Sequence, residues 1–417
     1  MVSALKVRDF RLLWGARAIA GLGTSLLVVA VPAHVYAVTG SALATGVTLA
    51  FEYLPSLLLG PFAGVPADRW DRRRLMIATD LLHALAISVA LLARTPDTIW
   101  LVYAAVLGQG TAGVLFRPAA AAHTPSVVGT GPALTSANSL GAVTTGVVGL
   151  SGPPLGGLLF ATSGIDGAVA ASVTASLLSA AAISRIAKRP RDTAPAEGPA
   201  AAAARRVLAD IGDGLRHVRR AAVTRALLAT NSLYLLANAA LTALLVPFAV
   251  THLGGSVQVG YLLSALGLGF LVGAPISRRI VDRFATRPAL ATGQALVAGA
   301  FALLFNSSSL PLALAAAVLL GLPGVTVLVA VQTRMQRATP EGLLGRVSSV
   351  FLTAEAAATM IGALAGPAVS ELSGLPVALN AACALTLLSA LLTLWLLPKG
   401  ATPGTHPKPS TATRRRS

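Results

Sequence analysis

Four ionisable side chains inside long apolar stretches of the sequence are candidates for chemistry, because charged groups are uncommon there. They are Arg17, Glu52, Asp80 and Glu355. A charge inside a membrane is costly, and it usually faces a partner or a water-filled cavity. Poor hydration favours the protonated form of a carboxyl group, which can then collect a proton on one side and release it on the other. We therefore predict that Glu52 and Glu355 couple proton movement.

The same residues could instead form static pairs that hold helices together. In this alternative, Arg17 pairs with Asp80 or with Glu52. For Glu52 the two interpretations stay open. For Glu355 we favour proton coupling, because its apolar stretch contains no base that could neutralise it. For Arg17 and Asp80 we favour the structural role.

A second group of charged residues follows the second apolar stretch. The small Gly64 would let two helices approach closely there. Asp68, near a helix end, could cap that helix or pair across to the other half of the chain, with Arg72 as a partner. Acidic residues contribute little to membrane orientation, which favours such a role for Asp68, whereas Arg73 and Arg74 are typical orientation signals.

Glycine and proline recur together in the fifth and eleventh apolar stretches. A proline inside a helix removes a backbone donor and disturbs the preceding turn. The pattern predicts a flexible, tightly packed seam that bends when the protein changes state, or else close helix packing alone. The residues are Gly152, Pro153, Gly156 and Gly157 in the fifth stretch, and Gly366 and Pro367 in the eleventh.

Three polar residues, Asn231, Tyr234 and Asn238, share one helical face of the seventh stretch. They could line a substrate cavity or bond between helices. The sequence contains no nucleotide-binding G-x-x-x-x-G-K-[ST] motif, no metal-binding cluster and no catalytic triad. We therefore expect no enzymatic activity, no cofactor and no metal.

The elements that position these residues must be membrane helices. Of the 417 residues, 55% are hydrophobic and 11% are charged, and the mean hydropathy is +0.75. Soluble proteins carry about 25% charged residues, so the composition indicates a protein that crosses the membrane several times. The net charge of +17 lies in short clusters, which is typical of orientation signals and of contacts to anionic lipids rather than to nucleic acid.

Twelve stretches are long enough to span a bilayer, which needs about 20 apolar residues per helix. The loops alternate between an almost uncharged set, with Arg94 as its one base, and a basic set; Arg17 is the one base placed within a helix. The positive-inside rule then puts both termini and the central loop in the cytoplasm. The predicted spans are 12–37, 43–66, 74–94, 98–120, 134–161, 165–186, 224–251, 256–281, 288–306, 309–333, 344–370 and 374–397.

The central loop divides the chain into two bundles of six helices. Apolar residues at helical spacing within this loop predict a short amphipathic helix, which either lies on the membrane surface or packs on the body of the protein. The predicted divisions are 1–190 for the first bundle, 191–222 for the linker with this helix, 223–398 for the second bundle and 399–417 for a disordered basic tail.

The two bundles are predicted to be copies of one unit. Several motifs recur at the same interval along the chain, the one that separates Gly40 from Gly254. We call this interval the repeat spacing. Several matches at one interval are not expected by chance. Six helices per copy make the copies parallel repeats, with the substrate path between them near the bilayer midplane. The repeat spacing separates Gly40 from Gly254, Asp68-Arg69 from Asp282-Arg283, and Gly152-Pro153 from Gly366-Pro367.

The stretch from Gly64 to Arg73 reads G-V-P-A-D-R-W-D-R-R. It resembles the G-x-x-x-D-R-x-G-R-R loop signature of the major facilitator superfamily, with Asp71 in the place of the second glycine. Across all twelve spans the chain resembles the drug and siderophore exporters of that superfamily, which are related to the enterobactin and macrolide exporters. What the resemblance implies is a latch that closes the cytoplasmic side. Its residues would be Gly64, Asp68, Arg69 and Arg72 and, in the second copy, Asp282 and Arg283.

A second superfamily pattern occurs in the fifth helix of antiporters, where it ends in G-P-x-x-G-G. The residues from Gly152 to Gly157 match this ending, although Val148 stands where a further glycine is expected. Because the pattern belongs to antiporters, the resemblance favours export over uptake.

Residues and resemblance together predict a proton-driven secondary exporter in the cell membrane, working as a monomer by alternating access. Its partners would be an amphipathic small-molecule substrate of the antibiotic or siderophore class, protons and membrane lipids. Two alternatives stay open: a solute importer or lipid translocase of the same fold, and a non-transporting membrane receptor or scaffold.

Overall fold

A computed structural model describes residues 4–129, 131–187, 200–255 and 257–398 of the chain. Within these ranges the regular structure is helical and contains no strand. In a bilayer an apolar segment must satisfy its own backbone hydrogen bonds, which a helix does internally. The prediction of an all-α membrane protein is confirmed. The predicted tail 399–417 lies outside the described residues.

Most helices begin and end within a few residues of the predicted spans. The largest differences are in the second span, whose helix ends at Leu59 rather than at 66, in the third, whose helix ends at Ser88 rather than at 94, and in the fourth, which was predicted to end at 120 and continues to Val128. The bounds are α1 Arg8–Thr39, α2 Ala42–Leu59, α3 Gly64–Arg69, α4 Arg72–Ser88, α5 Trp100–Val128, α6 Pro132–Ser184, α7 Ala200–Arg220, α8 Ala222–Ala243, α9 Leu245–His252, α10 Val257–Arg283, α11 Thr286–Phe305, α12 Leu310–Ala338, α13 Leu344–Ser373 and α14 Leu375–Leu396.

Among the described residues, eleven helical segments are long and apolar enough to cross a membrane. One of them, α6, has 53 residues, which is far more than the roughly 20 that a bilayer requires. It contains one residue with non-helical dihedral angles, Gly164, at φ 63° and ψ −157°. Glycine adopts a positive φ without steric cost. The interruption separates residues 132–163 from residues 165–184, where two spans were predicted.

Two sets of helices pack mainly among themselves. In the first half of the chain, α1 packs along α6, and α4 packs on α5 and α6. In the second half, α10 packs on α12, α11 on α12 and α14, and α8 on α13 and α14. The two halves meet chiefly where α2 packs on α13 and where α6 packs on α10.

The two ends of the helices differ in charge. We call one end the basic face; the helix termini there carry the arginines from Arg72 to Arg74, Arg283, Arg337 and Arg346. We call the other end the outer face; it contains Gly40 and Ser41 between α1 and α2, and Gly374 between α13 and α14.

The linker helix α7 packs on the body of the protein through the basic face of the second half. Its Val218 is buried, and Ile211 and Leu215 pack against the core of that half. The side chain of Arg346, at the start of α13, pairs with two carboxylates of α7: Nε lies 2.7 Å from Asp210 Oδ1, and Nη1 lies 3.2 Å from Asp213 Oδ2. This packing agrees with one of the two predicted placements, and a position on the membrane surface stays a prediction.

The two halves make the same buried polar contact at positions one repeat spacing apart. Ser179 Oγ in α6 donates a hydrogen bond to Asp80 Oδ2 in α4 at 2.6 Å. Thr393 Oγ1 in α14 donates to Gln294 Oε1 in α11 at 2.7 Å. A neutral amide therefore does in one half what a carboxyl group does in the other.

An arginine at the start of α4 and another at the start of α11 are also separated by the repeat spacing. Arg73 donates from Nε to the carbonyl oxygen of Ile183 at 3.1 Å and also bonds to the carbonyl of Ser184, at the end of α6. Arg287 bonds to the carbonyl of Leu394, near the end of α14. Each guanidinium thus donates to carbonyls in the last turn of a helix, where basic side chains interact favourably with the helix end.

Candidate functional site

Glu355 in α13 and Asn231 in α8 form a hydrogen-bonded pair inside the membrane helices. Asn231 Nδ2 donates to Glu355 Oε1 at 3.0 Å. Asn231 is 6% exposed, whereas Glu355 is half-buried. An amide donor stabilises the carboxylate without neutralising its charge, so Glu355 keeps an oxygen for another partner. The sequence pointed to both residues but did not predict that they pair.

Glu52 in α2 is half-buried beside α5. The backbones of the two helices are in close contact there, since a Cβ added at Gly110 would lie 2.6 Å from the carbonyl oxygen of Glu52. Arg117, seven residues after Gly110 and so on the same face of α5, is the positive charge that acts on Glu52 and on Tyr53. Arg117 lies inside α5, so the prediction that Arg17 was the one base within a helix is wrong.

The two acidic residues belong to one continuous set of packed helices, in the order α5, α2, α13 and α8. The antiparallel helices α2 and α13 meet at Gly46 and at the turn from Ala363 to Pro367. Counting along both helices from this contact places Glu52 and Glu355 about 6 Å apart in depth. We call Arg117, Glu52, Glu355 and Asn231 the polar row.

Neither static pair considered for Arg17 is present. Asp80 is 5% exposed and accepts its hydrogen bond from Ser179, not from Arg17. Arg17 is exposed on α1, and no hydrogen bond or ion pair joins it to Glu52 or to any other residue that the structure describes. Asp80 keeps the structural role predicted for it, but with a different partner.

The other two polar residues predicted on the face of α8 line a cavity within the second half. Tyr234 bonds to Asn238, and both border a cavity of about 80 Å³. The remaining walls are mostly apolar and include Phe270, Phe301 and Phe305. In the part of the chain that the structure describes, no group of His, Cys, Asp or Glu side chains could hold a metal ion.

Two close contacts join the halves of the chain, and they too are related by the repeat spacing. A Cβ added at Gly46 of α2 would clash with the carbonyl oxygen of Ala363 and lie 2.6 Å from Pro367 Cγ of α13. A Cβ added at Gly260 of α10 would lie 2.6 Å from Pro154 Cα and 2.8 Å from Pro153 O of α6. We call these contacts the α2–α13 seam and the α6–α10 seam.

The prolines of α6 do not interrupt its helical dihedral angles, but they change its hydrogen bonding. Because Pro154 has no N–H, the carbonyl of Leu150 loses its helical partner. Ser264 Oγ of α10 donates to that carbonyl at 2.8 Å. The prolines therefore create an acceptor that the other half of the chain fills, and helix bending at this point stays a prediction.

The predicted glycines pack closely against neighbouring helices. Added Cβ atoms at Gly152 and Gly156 would clash with α1, one at Gly157 would lie 3.4 Å from Val257 Cα, and one at Gly366 would lie 2.7 Å from Ala240 Cβ of α8. Close helix packing, one of the two predicted roles, is thus present.

A carboxylate of the second half reaches the first half at the outer face. Glu371, at the end of α13, accepts a hydrogen bond from Ser41 Oγ at 2.5 Å and from the backbone N–H of Leu43 at 3.2 Å. These donors form the start of α2, which favours a negative charge. The corresponding positions at the α6–α10 seam are Gly157 and Gly255, so this bond occurs at one seam only.

At Gly64, one of the residues predicted to form a latch, the basic face is less tightly packed than the two seams. A Cβ added at Gly64 would meet nothing within 4 Å, and the side chain of Asp68 lies outside the described residues. Arg72 donates to backbone carbonyls, from Nε to Ala67 at 3.4 Å and from Nη1 to Ala122 at 3.1 Å. The predicted pairing of Arg72 with Asp68 therefore stays untested.

The rest of the predicted latch lies at helix ends of the same face. Asp282, beside Arg283 at the end of α10, forms an exposed ion pair of 3.7 Å with Arg337 of α12. Arg69 ends α3. Asp71, which departs from the family signature, is the N-cap of α4, where its Oδ1 accepts from the backbone N–H of Arg74 at 2.9 Å.

Comparisons with known proteins agree on one group. A family model described as transmembrane secretion effector matches residues 1–409. The multidrug efflux pump Tap of Mycolicibacterium fortuitum is 31% identical over 362 residues, which cover 84% of this chain and 86% of Tap. The enterobactin exporter EntS of Escherichia coli is 27% identical over 379 residues, covering 87% of this chain and 85% of EntS.

Solved structures share the fold at low identity. The nucleoside transporter NupG superposes with a TM-score of 0.74 at 11% identity, covering 93% of this chain and 98% of NupG. The human organic anion transporter MFSD10 superposes with a TM-score of 0.61 at 19% identity, covering 93% of this chain and 99% of MFSD10.

Proposed function

The chain belongs to the transmembrane secretion effector family of the major facilitator superfamily, and we propose that it exports an amphipathic small molecule in exchange for protons. It is a multi-pass protein of the bacterial cell membrane. Relatives named as efflux pumps and exporters support the direction of transport. The proposal of proton coupling rests mainly on the polar row. In this row two half-buried carboxyl groups lie at similar depth on directly packed helices.

We infer twelve membrane spans in two parallel repeats, with both termini in the cytoplasm. The interruption of α6 at Gly164 supports counting that helix as two spans. The contacts that recur at the repeat spacing support the duplication. The distribution of arginines supports a cytoplasmic basic face.

We infer alternating access from where the halves touch. The α2–α13 and α6–α10 seams, together with the Glu371 contact, join the halves toward the outer face. At the basic face Gly64 has open space around it. We infer that this conformation is closed outward and open inward, and that the latch of Asp68, Arg72 and the matching Asp282 region forms in the other state.

Proton coupling would work through competition for the carboxyl groups of the polar row. From the outer side, a proton would neutralise Glu355 or Glu52 and weaken its attraction to Asn231 or Arg117. Substrate release outward would accompany protonation, and proton release inward would restore the charges. Because Asn231 is neutral, the charge state of Glu355 depends less on a fixed positive charge than that of Glu52 does. We therefore assign the main coupling role to Glu355.

The test is transport by the full chain in everted membrane vesicles with an imposed pH gradient. A panel of antibiotics and siderophores would be screened for accumulation, and dissipating the gradient should stop uptake of any compound that is carried. Glu355→Gln and Glu52→Gln should each abolish the dependence on the gradient. Asp80→Asn is the matched control, because Asn keeps the acceptor for Ser179 and Gln294 makes the same bond in the other half.

Each other outcome of the transport assay would favour an alternative function or a different assignment of the coupling residues. Transport that persists without the gradient would favour a lipid translocase or a facilitative carrier of solutes. No movement of any compound would favour a receptor or scaffold. Full coupling in both Gln variants would refute our assignment of the coupling residues.

A further inference from the structure

Arg17 is a charged residue in the first membrane helix to which the proposed coupling mechanism assigns no role. It lies nine residues after Arg8, about 13.5 Å along α1. Its side chain is exposed, and no described residue pairs with it. A membrane-embedded arginine usually has a partner or faces a water-filled cavity, so its surroundings are informative.

Arg17 lies on the side of α1 that packs on α6. One turn before it, Trp14 Nε1 donates to Thr144 Oγ1 of α6 at 2.8 Å. One turn after it, a Cβ added at Gly21 would lie 3.9 Å from Val148 Cγ1 of α6. Positions 14, 17 and 21 share one helical face, so Arg17 lies beside the stretch 141–148 of α6.

That stretch of α6 has open space at Gly141, which shares with Thr144 and Val148 the side of α6 that meets α1. A Cβ added at Gly141 would meet nothing within 4 Å. Thr145, one turn after Gly141, is exposed. A small anionic group could therefore approach Arg17 without displacing a side chain of the protein.

The second half of the chain shows what occupies the corresponding place there. At the repeat spacing, Arg17 corresponds to Asn231, and Gly141 corresponds to Glu355. In the second half a neutral donor, Asn231, binds the carboxylate of Glu355. In the first half a stronger, cationic donor stands in place of the amide, and a glycine stands in place of the carboxylate.

From this difference we propose that Arg17 binds an oxyanion of the substrate, such as a carboxylate, sulfonate or phosphate, in the space beside Gly141. The guanidinium group can hold such an anion through two parallel hydrogen bonds. The proposal rests on the proposed transport function and narrows its substrate to amphipathic organic anions. Without the substrate, water entering the inferred inward-open cavity would solvate the exposed guanidinium group.

The competing explanation is that Arg17 only extends toward lipid headgroups at the basic face. Long basic side chains in membrane helices can place their charge at the interface in this way. In that case any bound anion would be lipid phosphate, and dissolved organic anions would not compete for the site.

The test measures binding to the purified full chain in nanodiscs made only of neutral lipid. The probes are radiolabelled salicylate and 2-naphthoate, each compared with its uncharged amide. We expect at least one acid to bind more tightly than its amide. Arg17→Gln should weaken binding of that acid about tenfold or more, the loss expected for a charge-assisted hydrogen bond. Arg17→Lys, which keeps the charge but not the two-bond geometry, should give an intermediate loss.

Gly141→Glu offers an independent test, because it would supply the carboxylate found in the second half. Arg17 should then pair within the protein, and binding of the acid should fall to the level of Arg17→Gln. Arg94→Gln is the control, since Arg94 pairs with Asp166 at the exposed outer face, and it should bind the acid like the unaltered protein.

Three results would overturn the proposal: no acid of the panel preferred over its amide, an unchanged affinity in Arg17→Gln, or an equal loss in Arg94→Gln. Binding is measured without a pH gradient, so these results do not depend on proton coupling. If acids bind through Arg17 but are not transported, the proposed function fails and the binding site stands.

Discussion

Gly46 offers the sharpest perturbation of the inferred conformational change. A methyl group at this position cannot fit while α2 and α13 keep their separation, because the added Cβ would clash with Ala363 O and lie 2.6 Å from Pro367 Cγ. Atoms of this kind need at least about 3.4 Å, so the helices must separate by close to 1 Å. Overpacking of this size costs about 1–3 kcal/mol. If the two seams open in the other state of the inferred cycle, Gly46→Ala should shift the equilibrium toward outward opening by about 5- to 150-fold.

The measurement is a distance between spin labels at the outer face. Labels would be attached to cysteines at Asp97 and Leu372, which are exposed in opposite halves, in a Cys383→Ser background. Gly46→Ala should add a population with a longer distance. Gly260→Ala should do the same through the α6–α10 seam.

Gly299→Ala in α11 is the matched control, because a Cβ there meets nothing within 4 Å and the residue belongs to neither seam nor the latch. Its distance distribution should equal that of the unaltered protein. If Gly46→Ala leaves the distribution unchanged although the protein folds, or if Gly299→Ala changes it as much, then the α2–α13 seam does not control outward closure.

Two further predictions concern bonds made by single charged side chains. Arg73→Ala and Arg287→Ala should each lower the free energy of unfolding by about 1–3 kcal/mol, because charge-assisted bonds to helix-terminal carbonyls are lost. Thermal unfolding in detergent would measure this loss. Arg74→Ala is the control and should change the stability little, because its exposed side chain makes no bond that the structure describes. Glu371→Gln should weaken the bond to the start of α2 and enlarge the outward-open population in the spin-label measurement, and an unchanged population would contradict a role for this bond in closure.

The membrane spans could be predicted from local sequence because bilayer thickness and hydropathy decide them. The prediction of two spans around Gly164 illustrates this, since a 53-residue helix is too long for one crossing. The length of α5 was missed because its last turns contain His123 and Pro125 rather than an apolar run. The backbone hydrogen bonding of the helix nevertheless continues to its end, where the N–H of Gly129 donates to the carbonyl of Pro125.

Partners of charged residues could not be predicted, since they depend on which helices pack together. Asn231 and Glu355 are 124 residues apart, and only the packing of α8 on α13 brings them within hydrogen-bond distance. Arg73 was predicted to orient the chain, and nothing local shows that it also reaches the end of α6. The repeat spacing was visible in the sequence, however, and it could have led from Arg73 to Arg287.

The bond between Glu371 and the start of α2 makes the two seams mechanically unequal. The α2–α13 seam is held by a carboxylate at the outer face, where dissolved ions act on it directly. The α6–α10 seam is held by the neutral bond from Ser264 to a backbone carbonyl, which ionic strength barely affects. We therefore expect high ionic strength outside the cell to loosen one edge of the closure before the other. The halves would then separate by rotation about an axis near α6 and α10 rather than by moving apart evenly, and substrate would leave on the side of α2 and α13.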